Sequence, residues 1–372
     1  MYRCSDCGRE YGVDAPWRCA CGHALDYADP PVPDGDAPAL ADLDVRRGLW
    51  AFEEFLPMER RVSLGEGWTP LVDASDWAAA FKFDSLFPTG SFKDRGATTT
   101  VSRALALDAD RVVEDSSGNA GAAIAAYAAR AGVDAEIYVP ADATAAKLRA
   151  IERTGADVVR VEGDRQAVSD ACVEAVEDGA GYYASHAWDP AFLVGTATVA
   201  YEIAAQRDWT APDAVVTPLG HGTLFLGAYR GFRALAAAGW IDDVPRLFGV
   251  QAAGVAPIAD ALHGSTAGTS RRPSASDRND VADRNDVADG IQIRRPARET
   301  QILAAIDDTG GDAVAVGANA TTRERDRLAR AGFQVEPTSS VATAGLATLR
   351  ERGVLGTDED VVVALTGTGT KT

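Results

Sequence analysis

From about Leu64 onward, short apolar runs rich in β-branched residues alternate with longer alanine-rich stretches whose apolar residues recur at helical spacing. The first three strand-like runs are RVVEDSS, AEIYVP and ADVVRVEG, and each precedes a helix-like stretch. Four more runs follow later, namely AVVTPLG, RLFGVQAA, DAVAVGANA and VVVALTGTG. Strands that alternate with helices in this way form parallel sheets covered by helices on both faces. The pattern therefore predicts an α/β fold, and the chain length predicts two sheets.

Two segments interrupt this alternation. ADPPVPDGDAP, residues 28–38, is so rich in Pro, Gly and Asp that it indicates a linker. The hexapeptide DRNDVA occurs twice in tandem, at residues 277–282 and 283–288, and we interpret it as a mobile surface insertion outside the chemistry. The predicted organisation is a knuckle at 1–27, a linker and arm at 28–62 and a catalytic region at 63–372, with a smaller α/β domain inserted at about 97–195 and a low-complexity insertion at 265–298.

Composition limits the classes of function. The chain has 372 residues, 46% of them hydrophobic, and 55 acidic against 36 basic residues give a net charge of -19. The acidic residues are scattered, which is typical of a hydrated surface in a salt-loving, halophilic cytoplasm rather than of a surface for one basic partner. Such a charge disfavours nucleic-acid binding. Because no apolar signal or run of about 18 apolar residues occurs, we expect a cytoplasmic protein without a membrane span.

Four of the five cysteines lie near the N-terminus in two close pairs, Cys4 with Cys7 and Cys19 with Cys21. In a reducing compartment, such pairs indicate a structural zinc site with four protein ligands rather than disulfides. The second pair is one residue shorter than the commoner spacing, so two alternatives stay open: His23 replaces one thiolate, or the knuckle binds no metal. Cys172 stands alone among apolar residues at helical spacing and is interpreted as a buried packing residue.

Three predicted strands end in turns rich in glycine and hydroxyl groups. The segments are SSGNAG at residues 116–121, PLGHGT at 218–223 and TGTGT at 366–370. In α/β folds, ligands bind where strands end, because loop amides and helix N-termini point there. A turn of this kind alone is weak evidence, since glycine after a strand is common.

One lysine indicates which chemistry these turns could support. Only four lysines occur, and Lys93 lies in PTGSFKDRG, residues 88–96, among small residues and turn formers. A partly desolvated lysine can form a Schiff base with an aldehyde, which a guanidinium cannot do. The alternative is a surface lysine paired with Asp94.

Together, PTGSFKDRG, SSGNAG, the glycine-rich loop and the terminal TGTGTK resemble the fold-type II pyridoxal-phosphate enzymes, the group of tryptophan synthase β-subunit, threonine dehydratase and threonine synthase. Within that group, GEGWTPL (65–71), EPTSSVATAGL (336–346) and the N-terminal cysteine pairs resemble archaeal-type threonine synthases most. The resemblance covers nearly the whole chain and implies two parallel-sheet α/β domains after a small zinc-ribbon-like segment. It also implies conversion of O-phospho-L-homoserine and water to L-threonine and phosphate.

The resemblance also implies roles for single residues. Lys93 would hold pyridoxal phosphate as a Schiff base and later move protons. Asn119 would bind the 3-hydroxyl of the cofactor ring, and Thr366 would face its pyridine nitrogen. The cofactor phosphate would be bound by Gly220, His221, Gly222 and Thr223. The substrate carboxylate or phosphate would be bound by Ser91, Ser116 and Ser117.

The sequence departs from the family pattern at several positions. Phe87 replaces the usual Asn before Pro-Thr-Gly, His221 an Asn in the cofactor loop, and Thr368 a His in the terminal motif. Asp164 and Asp170 stand where the family has an Asn and an Arg that bind the substrate phosphate, so either Arg165 or Lys147 supplies that contact or the substrate carries no phosphate.

Two enzyme interpretations therefore stay open: a threonine synthase, and a related lyase such as a threonine or serine dehydratase or a cysteate-synthase-like enzyme. A third is a non-catalytic homologue that binds the cofactor or an amino acid. His186 and His263 are interpreted as packing or surface residues. The apolar residues of GLWAFEEFLPM, 48–58, would cover either a second subunit of a homodimer or their own domain.

Overall fold

The computed structural model describes residues 1–264 and 284–371. Its contacts divide the chain into two units: unit 1 consists of residues 1–68 and 87–202, and unit 2 of residues 69–86 and 203–372. The first copy of the DRNDVA repeat lies outside the described residues. From Arg284 onward the second copy is described, and there the buried Asn285 side chain donates to the Val316 carbonyl and to the Thr321 hydroxyl.

The described helices and strands follow in this order along the chain. The strands are β1 (Tyr2–Arg3), β2 (Glu10–Tyr11), β3 (Asp26–Tyr27), β4 (Leu71–Ala74), β5 (Ala79–Lys82), β6 (Arg111–Glu114), β7 (Asp134–Pro140), β8 (Asp157–Val161), β9 (Tyr182–Tyr183), β10 (Ala214–Pro218), β11 (Arg246–Ala252), β12 (Asp312–Val316) and β13 (Val361–Ala364). The helices are α1 (Lys93–Ala106), α2 (Asn119–Ala131), α3 (Ala145–Glu152), α4 (Arg165–Glu177), α5 (Pro190–Ala205), α6 (Thr223–Ala237), α7 (Pro257–His263), α8 (Glu299–Thr309), α9 (Ala318–Arg330) and α10 (Pro337–Glu351).

Unit 1 contains two sheets. Its N-terminal sheet has the order β2-β1-β3 with antiparallel neighbours, and its main sheet has the order β8-β7-β6-β9 with parallel neighbours. Buried Val112, Ile137 and Val139 of the main sheet pack against apolar residues of α1 and α2. The helix-rich cover of this parallel sheet is what the alternating pattern predicts.

Unit 2 contains the larger sheet, of order β12-β11-β10-β13-β5-β4. Its strands are parallel except β4, which pairs antiparallel with β5. Every residue of β10 and of β13 is buried, as expected for central strands covered on both faces. All seven strand-like runs of the sequence form strands, so the predicted α/β fold with two parallel sheets is confirmed.

No helix within residues 1–264 or 284–371 is long and apolar enough to cross a membrane.

Candidate active site

Lys93 is the first residue of α1 and is half-buried. Its Nζ lies 4.8 Å from the centroid of the Phe92 ring and 5.5 Å from that of the Phe192 ring. Two aromatic faces partly replace the water that would otherwise solvate the amine. An aromatic face also attracts the ammonium form of a lysine, so the two rings hold Nζ in place at the start of α1.

The turn before Lys93 is held by a buried carboxylate. Asp94 accepts hydrogen bonds from the backbone N–H of Thr89, at 2.8 Å, and from the Thr89 hydroxyl. Ser91 is fully buried, and its hydroxyl has no hydrogen-bond partner among the residues that the structure describes. A buried hydroxyl without a partner costs free energy unless a ligand satisfies it. This orphaned group is therefore a built-in position for a polar atom of a bound molecule.

Phe87, which departs from the family pattern, packs on a buried ion pair. The Cζ atom of Arg95 lies 4.8 Å from the centroid of the Phe87 ring. The Arg95 guanidinium also donates to both carboxylate oxygens of Glu202, at 2.6 and 2.9 Å, and neither side chain is exposed. Phe87 therefore contributes a stacking surface for this guanidinium, which is a packing role that an Asn could not fill in the same way.

The SSGNAG segment joins the end of β6 to the start of α2. Ser116 Oγ accepts from the Gly118 N–H at 3.3 Å, and Asn119 is the first residue of the helix. A Cβ atom on Gly121 would lie 1.8 Å from the Ser116 carbonyl oxygen. Glycine is therefore required at 121 for the loop to lie against the first turn of α2. Ser116, Ser117 and Asn119 are half-buried, so the turn presents its polar groups at the N-terminal end of a helix.

Unit 1 contains a buried acid and a histidine partner that no motif of the sequence predicts. Glu114, the last residue of β6, is fully buried, and His186 Nδ1 lies 2.7 Å from its Oε1. Burial raises the pKa of Glu114 well above its ordinary value, the Asp115 carboxylate raises that pKa further, and the charge of Lys93 lowers it. His186 was interpreted as a packing or surface residue, and only the strand order, which makes β6 and β9 neighbours, brings it to Glu114.

The PLGHGT segment of unit 2 joins β10 to α6. Gly222 precedes the first helical residue, Thr223, and has a φ of 78°, a left-handed conformation that favours glycine. Gly220 and Thr223 are buried and His221 is half-buried. Thr217, just before the segment, is buried, and its hydroxyl finds no partner in the described part of the chain. The amides at the start of this 15-residue helix form a cradle suited to a phosphate.

Thr366 follows β13 in unit 2 and is buried. Its hydroxyl lies 3.1 Å from Ser339 Oγ, which also accepts from the Gly367 N–H at 2.8 Å. Ser339 belongs to the EPTSSVATAGL motif, so the structure joins that motif to the terminal TGTGTK. This contact orients the Thr366 hydroxyl.

The four N-terminal cysteines are brought together as the sequence predicts. Their sulfur atoms all lie within 4.8 Å of one another, with Cys4 and Cys21 3.6 Å apart and Cys7 and Cys19 3.5 Å apart. Four thiolates at about 2.3 Å from a tetrahedral zinc ion would be separated by about 3.8 Å. The donor set therefore fits zinc, whose presence stays a prediction. His23 Nδ1 lies 3.4 Å from Cys21 Sγ, beside this cluster.

GEGWTPL is held by its glutamate. Glu66 is fully buried and accepts hydrogen bonds from four groups of unit 1. The donors are Trp50 Nε1 at 3.0 Å, Ser63 Oγ at 3.2 Å, the Leu64 N–H at 2.7 Å and the Tyr127 hydroxyl at 2.9 Å. This carboxylate therefore ties GEGWTPL to α2 and to the GLWAFEEFLPM segment, whose Leu49, Trp50, Phe52 and Phe55 side chains are buried.

The chain matches the family described as "Pyridoxal-phosphate dependent enzyme" over residues 62–367. It belongs to that family. In unit 1 the buried Ser91 hydroxyl, and in unit 2 the buried Thr217 hydroxyl, have no partner among the described residues, and unit 2 also offers the helix N-terminus at Thr223. These are the kind of polar groups that pyridoxal phosphate needs. The residues present therefore fit the cofactor of the family.

Curated relatives share almost the whole chain. The threonine synthase of Methanocaldococcus jannaschii is 33% identical, with 100% of this chain and 93% of that protein covered. The threonine synthase of Methanosarcina acetivorans is 32% identical, with 98% and 90% covered. Because the first relative is matched over all of this chain, the likeness includes the N-terminal cysteine segment.

A solved structure shows the same fold. The processed form of threonine deaminase isoform 2 from Solanum lycopersicum has a TM-score of 0.67 and 21% identity, with 91% of this chain and 87% of that chain covered. At this identity, the likeness concerns the fold alone. The fold-type II architecture predicted from the motifs is confirmed.

Proposed function

We propose that the chain is a threonine synthase, which converts O-phospho-L-homoserine and water to L-threonine and phosphate. The observation that carries this proposal is the 33% identity to a threonine synthase over all of this chain. The buried Glu66 network supports it, since it anchors the GEGWTPL motif by which the sequence resembles these enzymes.

In this proposal, Lys93 would hold the cofactor covalently through Nζ, and Asn119 would bind the ring hydroxyl. Gly220, His221, Gly222 and Thr223 would bind the cofactor phosphate, and Thr366, which contacts Ser339, would hydrogen-bond the ring nitrogen. When bound, pyridoxal phosphate supplies an electron sink that makes the Cα–H and Cβ–H bonds of an amino acid acidic. A neutral hydroxyl at the ring nitrogen moderates that sink, which suits elimination and addition chemistry.

The protein's own groups then handle the protons. Once the substrate amino group has taken its place on the cofactor, the Lys93 amine would take up the Cα proton of the substrate and later return it, which is the role that the resemblance implies for this lysine. The Glu114–His186 pair holds a further proton close to Lys93, whose charge lowers the pKa of Glu114. Ser91, Ser116 and Ser117 bind the anionic groups of the substrate, and the orphaned Ser91 hydroxyl is the clearest candidate of the three.

The contact to the substrate phosphate is assigned to Arg165 or Lys147. Asp164 occupies a position where relatives bind phosphate, but its carboxylate accepts from the Gln166 and Ala167 N–H groups as the N-cap of α4. Asp170 accepts from the Gln166 side chain at 2.8 Å. Both carboxylates thus accept hydrogen bonds from N–H groups of α4, and the proposal gives neither of them a contact to the phosphate.

A substrate panel tests the proposal. We expect purified, cofactor-loaded protein to release phosphate and form threonine from O-phospho-L-homoserine, and to form little 2-oxo acid from threonine or serine. Lys93→Ala should abolish the reaction and the visible absorbance band that borohydride removes, whereas the matched Lys147→Ala should keep the band. If 2-oxo acid is the main product and no phosphate is released, the chain is a dehydratase. If the wild type shows no such band with saturating cofactor, the enzyme assignment fails.

We also propose that Cys4, Cys7, Cys19 and Cys21 bind one structural zinc ion. The support is the close approach of the four sulfur atoms, which leaves no open position for catalysis. Metal analysis should give about one zinc per chain, and Cys7→Ser should lower this content while Cys172→Ser does not. Equal zinc in the wild type and the Cys7→Ser variant would contradict the assignment, and replacement of His23 would then identify the ligand set.

A further inference from the structure

A cavity of about 300 Å³ lies in unit 1, and none of its lining residues is among those assigned above to the reaction. Its walls come from the segment between the cysteine pairs, from α1 and from the loop between β9 and α5. Its lining includes Asp14, Trp17, Arg103, Trp188 and Asp189. It combines charged groups of both signs with aromatic surface, which is the usual composition of a small-molecule site.

Arg103 is the positive group of this cavity. It lies on α1, its Cζ is 4.6 Å from the centroid of the Tyr2 ring, and one N–H group donates to the Val13 carbonyl at 3.2 Å. Among the residues that the structure describes, it makes no ion pair with a carboxylate. Since a guanidinium carries five donors in a planar fork, Arg103 retains N–H groups that match a carboxylate.

Two carboxylates supply negative charge. Asp14 is exposed at the rim and forms no ion pair with another described residue. Asp189 is 5% exposed and accepts from the Tyr182 hydroxyl at 2.6 Å and from the Ala191 N–H at 2.8 Å. These contacts orient the Asp189 carboxylate, and its negative charge acts on the Arg103 guanidinium of the same cavity. With two negative groups and one positive group, the cavity does not favour a plain anion.

The aromatic residues of the cavity favour a ligand that carries an apolar group. The Trp17 ring packs edge-on against Trp188, with ring centroids 5.1 Å apart, and against Tyr183, at 5.3 Å. These contacts fix the two indoles, so apolar surface is presented without further ordering of side chains.

We propose that this cavity binds a free α-amino acid with an apolar side chain, held by Arg103 at its carboxylate, by Asp14 and Asp189 at its ammonium group and by Trp17 and Trp188 at its side chain. The zwitterion matches both signs of charge at once, which neither an anion nor an amine does. α1 carries both Arg103 and Lys93, so the ligand contacts the helix that begins at the candidate catalytic lysine. The site does not depend on which amino acid the active site converts.

Calorimetric titration of the full-length, cofactor-loaded protein tests this site with L-leucine as the probe. Val13→Trp would fill the mouth of the cavity from a position that is 62% exposed, and Val45→Trp is the matched control at a position that is 47% exposed and outside the cavity lining. We expect the wild type and Val45→Trp to bind leucine alike, and Val13→Trp and Arg103→Gln to bind at least about tenfold more weakly. Leucine bound at the active site would be unaffected by either cavity variant.

Two truncated probes test the charge assignment. 4-Methylpentanoate lacks the ammonium group and 3-methylbutylamine lacks the carboxylate, and each should bind at least about tenfold more weakly than leucine. The proposal is overturned if leucine binds Val13→Trp with wild-type affinity, if 4-methylpentanoate binds as tightly as leucine, or if the wild type shows no binding at millimolar leucine. Should Arg103→Gln fail to fold, Val13→Trp alone decides.

Discussion

Replacement of Glu66 tests how GEGWTPL is held. The carboxylate accepts four hydrogen bonds, and three of them, from Ser63, Leu64 and Tyr127, converge on Oε2. Burial raises the pKa of Tyr127 far above its ordinary value, so its hydroxyl stays protonated and donates. In Glu66→Gln, the side-chain amide must direct N–H groups at one or more donors.

The magnitude follows from the number of acceptors lost. If the Gln oxygen takes the place of Oε2, only the bond from Trp50 is lost. The indole N–H still donates to Thr98 Oγ1 at 3.2 Å, but it then also faces the amide N–H groups of the new side chain in a buried site. A buried hydrogen bond to a charged group contributes about 1.5–3 kcal/mol. We therefore expect Glu66→Gln to lower the free energy of unfolding by about 2–3 kcal/mol. Glu66→Leu removes the acceptor of the Ser63, Leu64 and Tyr127 donors and leaves Trp50 only the Thr98 hydroxyl, so we expect a loss of about 4–5 kcal/mol.

Differential scanning calorimetry is the direct assay. For a unit of this size, about 2–3 kcal/mol corresponds to a decrease in Tm of roughly 5–10 °C. Glu162→Gln, at an exposed residue of the same unit, is the matched control and should change Tm little. A Glu66→Gln protein that unfolds within about 1 °C of the control would refute the reasoning, because the four bonds would then contribute nothing beyond what water provides.

Three further predictions follow from other contacts. Glu202→Gln should destabilise the protein by about 3–5 kcal/mol in urea unfolding, because it leaves the buried Arg95 charge uncompensated. A loss as small as that caused by removing an exposed ion pair would contradict this prediction. Gly121→Ala should weaken cofactor binding measured by absorbance titration at least about tenfold, since the added Cβ lies on the Ser116 carbonyl, and unchanged affinity would contradict this. In the wild type, the raised pKa of Glu114 means that the folded state keeps a proton that the unfolded state loses above about pH 4.3. Stability from this group should therefore fall as pH rises towards the folded pKa, and Glu114→Gln should remove that slope in urea titrations at several pH values.

The alternation of strand-like and helix-like segments was enough to predict the fold. The reason is that a parallel strand buried on both faces is a continuous apolar run in the sequence. RVVE and VVVA lie in the centre of their sheets, and both were recognisable from β-branched residues alone. β9, of two residues, and β5, which carries the buried Lys82, were missed. Lys82 Nζ donates to the Thr69 carbonyl at 2.7 Å, a long-range pairing that no local pattern reveals.

Site residues could be predicted from the sequence only where they lie in one short, contiguous motif. Lys93, Asn119 and the cysteine pairs stand in short segments whose chemistry is legible in the sequence. The Glu114–His186 pair joins residues 72 positions apart, and neither has a motif of its own. Likewise, the sequence predicted that the Asp164 carboxylate would repel a substrate phosphate. In the structure this carboxylate caps the N-terminus of α4, a role that depends on where the helix begins and that the sequence alone did not reveal.

The order of strands in unit 2 has a consequence for synthesis of the chain. β5 pairs with β13, so Ala80 lies beside Val362 although 282 positions separate them along the chain. The parallel sheet of unit 1 uses only residues between 111 and 183 and is complete while translation is still under way. In the unit 2 sheet, β4 and β5 emerge first from the ribosome and must wait for β13, which is made much later. Chaperone demand and sensitivity to premature termination should therefore concentrate in that sheet, and a chain that terminated before Val361 would lose the strand that lies between β5 and β10.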